Sequence, residues 1–546
     1  MSSEASHFDS ALEAMSADEL RVFLREFSRG LEPKARGHLH EALMECAARG
    51  PSGGKPEAPP NHVAARVEQF IAAARQVGVA TPDKVDELLR EGNRAFRAGD
   101  MPAARAILGP LLSALAEAEF DLGQDETYDE VLTESLHDCA ARFLVAVYMT
   151  TPLAQRAEVL REALEAVDPA SSFLEPLREL EQVTATPLPE LDAFLPSWVS
   201  ALQSKHISGD EAWESPSDQR LREAVTRAEG LTGLERLART SKQPEALQAW
   251  CGALVERGQW KEALHAFETA ASLVGSKFWR GTFLDGAALA THELGRGDLT
   301  QRLATAWRAA PCLTRLLRSL NAGDPSATTL KKRASSELAH APTKSPRLLG
   351  VLHLMAGDFE AAARLLAAAP GLGWSEGEHP GHVLFPAFAW LLGEAPEDSV
   401  RAELVAPLRR PPGMLSDMEE LDPELLEPPL PKPALPTPTL VAVLQRGELA
   451  RHLTPTTRQL LRDALRQAAK ARVTGVLREK RRRHYEHAAQ LVACCVELEH
   501  ASGEGNLAEQ WAASLRADTK RFPAFQASLQ AVLPQVHPAR PHGRGA

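Results

Sequence analysis

A six-residue phrase constrains this chain more than any other feature. "GDMPAA" (Gly99 to Ala104), "GQWKEA" (Gly258 to Ala263) and "GDFEAA" (Gly357 to Ala362) each read glycine, a polar residue, a large apolar residue, two variable positions and alanine. Four residues after the alanine comes Leu108, Phe267 or Leu366, and in the last two cases Ala270 or Ala369 follows three later. Glycine supplies the left-handed backbone that ends one helix within a residue or two, and the polar residue helps start the next. Alanine fits where two antiparallel helices cross, because a small side chain lets the axes approach to about 8 Å while the following large residue fills the flanking groove. The phrase therefore specifies a helical pair, and its recurrence specifies a chain built from such pairs.

Composition agrees. Ala, Leu, Arg and Glu are abundant while aromatic residues make up 5% and Tyr only 3 residues, so the side chains that favour sheet are scarce. A length of 546 residues calls for several domains or one elongated array. Ser16 and Glu19 have capping-box spacing ahead of Leu20, Phe23, Leu24 and Phe27, which fall on one helical face. A second helix carries Leu39, Leu43 and Cys46, and Thr81 followed by Pro82 reads as a helix start. "GPSGGKPEAPPN" and "PLRRPPGMLSDMEELDPELLEPPLPKPALPTPT" are too rich in proline to continue helices. The expected organisation is an N-terminal helical segment over 1–50, a linker over 51–61, and helical hairpins with the first repeat-like unit over 62–205. A central helical-repeat array over 206–400, a proline-rich linker over 401–440, a separate C-terminal helical bundle over 441–534 and a disordered tail over 535–546 complete it.

The residues of the shared phrase resemble tetratricopeptide repeats, helix-turn-helix units of 34 residues that stack into a solenoid. Gly350 matches the small residue of that family's first helix, whereas "HELGRGDLTQRLATAW" places Arg302 where alanine is usual. The resemblance implies an all-α, irregular tetratricopeptide-like α-solenoid whose surface binds another protein. "MSADELRVFLREF", "FRAGDMPAARAILGPLLSAL", "EFDLGQDETYDE" and the segment from "KRRRHYEHAAQ" to "RFPAF" also look like the helical regions attached to SWIM zinc fingers in bacterial proteins. That finger needs C-x-C and C-x-H, and no two cysteines here are separated by a single residue, so zinc binding is not implied.

Chemistry is sparse by comparison. "GWSEG" has the form of a nucleophile elbow around Ser375, but such an elbow needs a strand before it and the preceding "ARLLAAAPGLG" reads as a helix end. "GPSGGKP" is one residue short of a phosphate loop and carries Pro56 where a magnesium-binding hydroxyl belongs. His379 and His382 in "EHPGH" are metal-ligand types in a loop without further ligands nearby in sequence. His484 and His487 share a helical face, but Cys494 and Cys495 lie roughly 10 to 16 Å further along the axis, and these thiols read as part of an apolar stripe. Asp121, Asp125, Asp129 and Glu130 lack calcium-loop spacing. No catalytic residue, metal or cofactor is expected.

Charge supplies the one functional pointer. Residues 441–546 carry 17 Lys and Arg against 9 Asp and Glu, net +8, which leaves −20 on the rest of a chain whose total is −12. Lys480, Arg481, Arg482 and Arg483 concentrate the excess at the expected start of a helix, to be compensated by the acidic body of the chain or by phosphates. Arg472 is expected on an exposed helical face. Six cysteines without C-x-x-C spacing fit a reducing compartment, and the most apolar run, His382 to Gly393, falls short of the roughly 20 residues that span a bilayer. The expectation is a cytoplasmic, non-catalytic scaffold or adaptor for another protein, with no membrane contact. The alternative is a nucleic-acid-associated factor using the basic C-terminal bundle, against which the overall negative charge counts.

Overall fold

The computed structural model describes residues 15–30, 63–123, 128–169, 172–184, 187–205, 214–394, 396–412 and 433–533. Among them every regular element is a helix, and the sole strand-like contact is one isolated parallel bridge between Val79 and Asp121. The protein is all-α. The helix expected around Leu39, Leu43 and Cys46, the 51–61 linker, the middle of the proline-rich stretch and the 535–546 tail lie outside the described residues.

Two compact units divide the chain, Met1–Ala246 and Leu247–Ala546. In the first, the Ala17–Gly30 helix starts at the expected capping box, with Ser16 N–H donating to Glu19 Oε2 at 2.8 Å and Glu19 N–H to Ser16 Oγ at 3.3 Å. Phe23 and Phe27 stack with centroids 5.8 Å apart, as their spacing requires, yet both are about half exposed. Helices Val63–Val77, Pro82–Arg97, Met101–Ala116, Leu136–Thr150, Leu153–Val167, Leu191–Lys205 and Pro216–Ser241 bury one core, centred on side chains such as Leu108, Leu144, Tyr148, Phe194 and Trp198.

In the second unit, helices Trp260–Leu273, Lys277–Glu293, Leu299–Ala309 and Leu313–Asn321 pack each on the next, as do Ala327–Glu337, Pro346–Ala356 and Phe359–Ala367. Phe359–Ala367 then lies against the long Pro455–Arg478 helix, which packs on Tyr485–Ala501. The 441–534 region is therefore not a separate bundle. Leu316, Leu352, Phe388, Leu465, Val492 and Phe525 belong to one continuous core, because Ala468 and Ala469 present a close-packing face that the neighbouring helices cover. Prolines do not detach it either. Thr314 Oγ1 donates to Pro412 O at 3.2 Å, Arg318 Nε donates to Thr437 Oγ1 at 2.8 Å, and Leu435 is buried, so both described ends of the proline-rich stretch are seated.

The shared phrase folds the same way three times. Gly99, Gly258 and Gly357 have φ of +77°, +66° and +79°. Each glycine N–H bonds the carbonyl three residues back (Phe96, Val255, Leu354), and the next N–H bonds the carbonyl five back (Ala95, Leu254, His353). This is the Schellman pair of bonds, and Asp100 and Asp358 then cap the following helix by accepting from Ala103 N–H and Ala361 N–H at 3.1 Å. Ala104, Ala263 and Ala362 are fully buried. Seven residues before the turn, a Cβ on Gly92 or Gly350 would lie 2.5 Å from a side-chain carbon of Leu108 or Leu384, so in each case a leucine of a neighbouring helix seats directly on the glycine. A fourth corner has the same bonds at Gly503 and Glu504, with Ala508 fully buried, although Gly505 stands where the others have a large residue. Arg302, in alanine's place, reaches outward to Glu268 at 2.7 Å and Asp298 at 2.9 Å.

Carboxylates tie distant segments together at three further points. Asp86 accepts from Thr133 N–H and Glu134 N–H, Glu223 from Leu177 N–H and Arg178 N–H, and Glu497 from Val400 N–H and Arg401 N–H, all within 2.8 to 3.0 Å at the shortest. Burial pushes Glu223 up to about 7 against the pull of those N–H groups.

Candidate functional site

The Pro455–Arg478 helix ends where the basic run begins. Lys480 has φ +52°, its N–H bonds Leu477 O at 3.2 Å, and Arg481 N–H bonds Val476 O at 2.9 Å. This is the corner of the glycine phrases with lysine in glycine's position. A 3₁₀ turn over Arg482–His484 leads into Tyr485–Ala501. The four cations thus occupy a turn and not the start of a regular helix. All four are exposed, and among the described residues none forms an ion pair with a carboxylate; Arg483 Nε instead contacts His484 Nε2 at 3.3 Å. Pairing with the acidic body of the chain, expected from the charge asymmetry, is not what the described residues show. Because a left-handed lysine is strained by about 1 kcal/mol relative to glycine, Lys480→Gly should raise unfolding stability by about that amount. Chemical denaturation measures it, and a loss of stability would contradict the geometry.

Behind the turn lies a cluster whose members are widely separated along the sequence. Arg472, expected on an exposed face, is only 4% exposed. The reason is a backbone contact: a Cβ on Gly371 would stand 2.1 Å from Ala471 O, and one on Gly475 would stand 2.9 Å from Gly371 C, so the 370–373 turn lies directly on the helix. Arg472 Nη1 donates to Gly371 O at 3.2 Å, and its guanidinium carbon lies 6.0 Å from the Trp374 ring centroid. Around the buried indole stand His379 at 4.9 Å, His487 at 5.2 Å and His382 at 6.4 Å, centroid to centroid.

His379 has a fixed proton. Its Nδ1 accepts from Gly381 N–H at 3.0 Å, so Nε2 carries the hydrogen directed at Pro370 O, 2.9 Å away, and the ring is neutral. Burial first, then the neighbouring Arg472, holds it below the usual histidine range. Burial and the nearby His379, Arg347 and Arg472 push His382 down to about 4, and burial with Arg472 and the other imidazoles does the same to His487. Unfolded imidazoles titrate near about 6.5, so between about pH 6.5 and 4 the unfolded chain binds protons that the folded chain refuses. The stability that these rings contribute is complete above that window and is lost as pH falls through it. His487→Gln should shrink the wild-type loss of unfolding free energy between about pH 7.5 and 5 by about 1 to 2 kcal/mol. An unchanged pH dependence would sink this reading.

The remaining candidates resolve simply. Among the described residues no three His, Cys, Asp or Glu side chains are arranged to hold a metal ion. Ser375 is exposed in the loop after the Phe359–Ala367 helix, with no strand before it. Cys494 and Cys495 are buried in the apolar face of Tyr485–Ala501, and burial pushes both thiols well above their ordinary range. Asp121 accepts from Gly123 N–H at 2.7 Å, a local turn contact; Asp125 and the side chains of Asp129 and Glu130 lie outside the described residues. A scan against models of known protein families finds no match to this chain, and a search of curated proteins finds no similar sequence.

Proposed function

We propose that this chain is a non-catalytic scaffold or adaptor that holds another protein against a surface made of tetratricopeptide-like helical pairs. The observation that carries the reading is the threefold corner: Gly99, Gly258 and Gly357 in left-handed backbone, identical Schellman bonds, and Ala104, Ala263 and Ala362 fully buried at the crossings. Such pairs leave one face of each helix free to line a binding surface, and repeat arrays of this kind bind other proteins; this step is an analogy of architecture. An exposed aromatic supports it, since Phe278 at the start of the Lys277–Glu293 helix is 68% exposed beside Trp279. No helix among the described residues is long and apolar enough to cross a membrane, and a cytoplasmic location is part of the proposal.

Affinity capture from a lysate, with and without nuclease, tests it. The scaffold reading expects a protein partner retained after nuclease and weakened by Phe278→Asp. The second reading, a nucleic-acid-associated factor, draws on the exposure of Lys480, Arg481, Arg482 and Arg483 without carboxylate partners among the described residues. It expects tight nucleic-acid binding whose salt slope flattens by up to about 3 to 4 when all four become Gln. The net charge of −12 counts against it at long range.

A further inference from the structure

A guanidinium cannot shed its charge, so an arginine removed from water ordinarily stands against a carboxylate. Arg472 does not. It is 4% exposed, makes one hydrogen bond to a neutral carbonyl, and its Nε has no protein acceptor; burial alone shifts it, with no carboxylate acting on it. Arg347, whose charge reaches His382, likewise has a buried Nε without a protein acceptor. The carboxylates in the neighbourhood face elsewhere: Glu378 bonds Ser345 Oγ, Glu479 pairs with Arg478 at 3.0 Å, and Glu376 acts on His379, the imidazole already committed to two backbone groups. The Arg482–His484 turn packs on the Pro455–Arg478 helix that carries Arg472, and His484 is held down by burial and by Arg472, Arg483 and Arg481.

We propose that Arg472, with His382, His487 and Arg347 and beneath the Lys480–Arg483 turn, forms a binding site for a small phosphate-type oxyanion. Guanidinium offers a fork of N–H donors that matches phosphate oxygens, and charge-assisted bonds to it are the strong ones. Two neutral imidazoles within the cluster can each take a proton, so the site adapts to a dianion better than to a single carboxylate. Phosphate monoesters carry their second ionisation at about 6, and a dianion held beside His382 and His487 would draw both imidazoles back up from about 4 toward their ordinary range. Near-complete burial of Arg472 selects a compact anion, while the exposed cations of the turn attract it from solution.

The test uses the intact chain at constant ionic strength, following the histidine ring resonances by NMR. Inorganic phosphate should shift His382 and His487 saturably against a chloride control and raise their titration midpoints, because a bound anion favours the imidazolium. Glycerol phosphate separates the sources: binding tighter than inorganic phosphate assigns an organic monoester, equal binding assigns the free anion, and both support the site. Arg472→Gln should weaken binding by about tenfold or more. Should that variant fail to fold, Arg347→Gln must weaken it instead, and the wild-type resonances decide in any case. Absence of saturable shifts at millimolar phosphate, shifts reproduced by chloride, or binding unaltered in both arginine variants would overturn the proposal. Tighter binding of an oligonucleotide than of either small anion would also overturn it, in favour of a nucleic-acid interface.

Discussion

Gly371→Ala should destabilise the Leu247–Ala546 unit by about 3 kcal/mol or more, at the upper end of what overpacking costs. The new methyl would stand 2.1 Å from Ala471 O and 2.8 Å from Ala471 C, and both belong to helical backbone that has no rotamer to change. Relief requires the 370–373 turn to lift off the Pro455–Arg478 helix, which breaks the Arg472 bond to Gly371 O and opens the indole pocket. Gly377→Ala is the matched control in the same loop, with nothing within 4 Å of its new methyl, and should shift the denaturation midpoint little. Equal midpoints for the two variants would show that the turn does not rest on the helix.

Ala263→Leu and Ala362→Leu should each cost about 1 to 3 kcal/mol, because both sites are fully buried where helices cross and three added carbons must push the axes apart. Ala508→Leu should cost the same if the Gly503 corner belongs to the set, whereas Arg364→Leu, exposed on the same helix as Ala362, should be nearly silent. Thermal melts unchanged by the alanine variants would remove the crossings from the account.

What the sequence discloses here is what neighbours decide. A left-handed glycine, the bonds it makes to carbonyls three and five residues back and the alanine after it all lie within one short window, so Gly99, Gly258 and Gly357 could be read directly. The same corner carries no such signature at Gly503, where Gly505 replaces the large apolar residue, or at Lys480, where the left-handed position is held by a side chain that strains to be there. Arg472 was legible as a helical residue but not as a buried one. Its burial depends on Gly371, 101 positions away, and no local pattern of charge or hydrophobicity encodes that a turn will lie on the helix there. Trp374, His382 and His487 meet for the same reason. The seating of the 441–534 region in a shared core is likewise a tertiary outcome, and the prolines before it suggested independence because they forbid helix without forbidding contact.

The carboxylate ties bear on how each unit can come apart. In repeat arrays whose members touch only their neighbours, a pair can be deleted or duplicated with little penalty to the rest. Here Asp86, Glu223 and Glu497 satisfy N–H groups 47 to 48, 45 to 46 and 96 to 97 positions away, and those groups have no helical partner of their own. Excising the pair that supplies a carboxylate strands two donors in a distant segment, and excising that segment strands a carboxylate held at low exposure in Asp86 and Glu497. A change of length that spans one of these three ties therefore keeps its hydrogen bonds matched only when both ends of the tie move together.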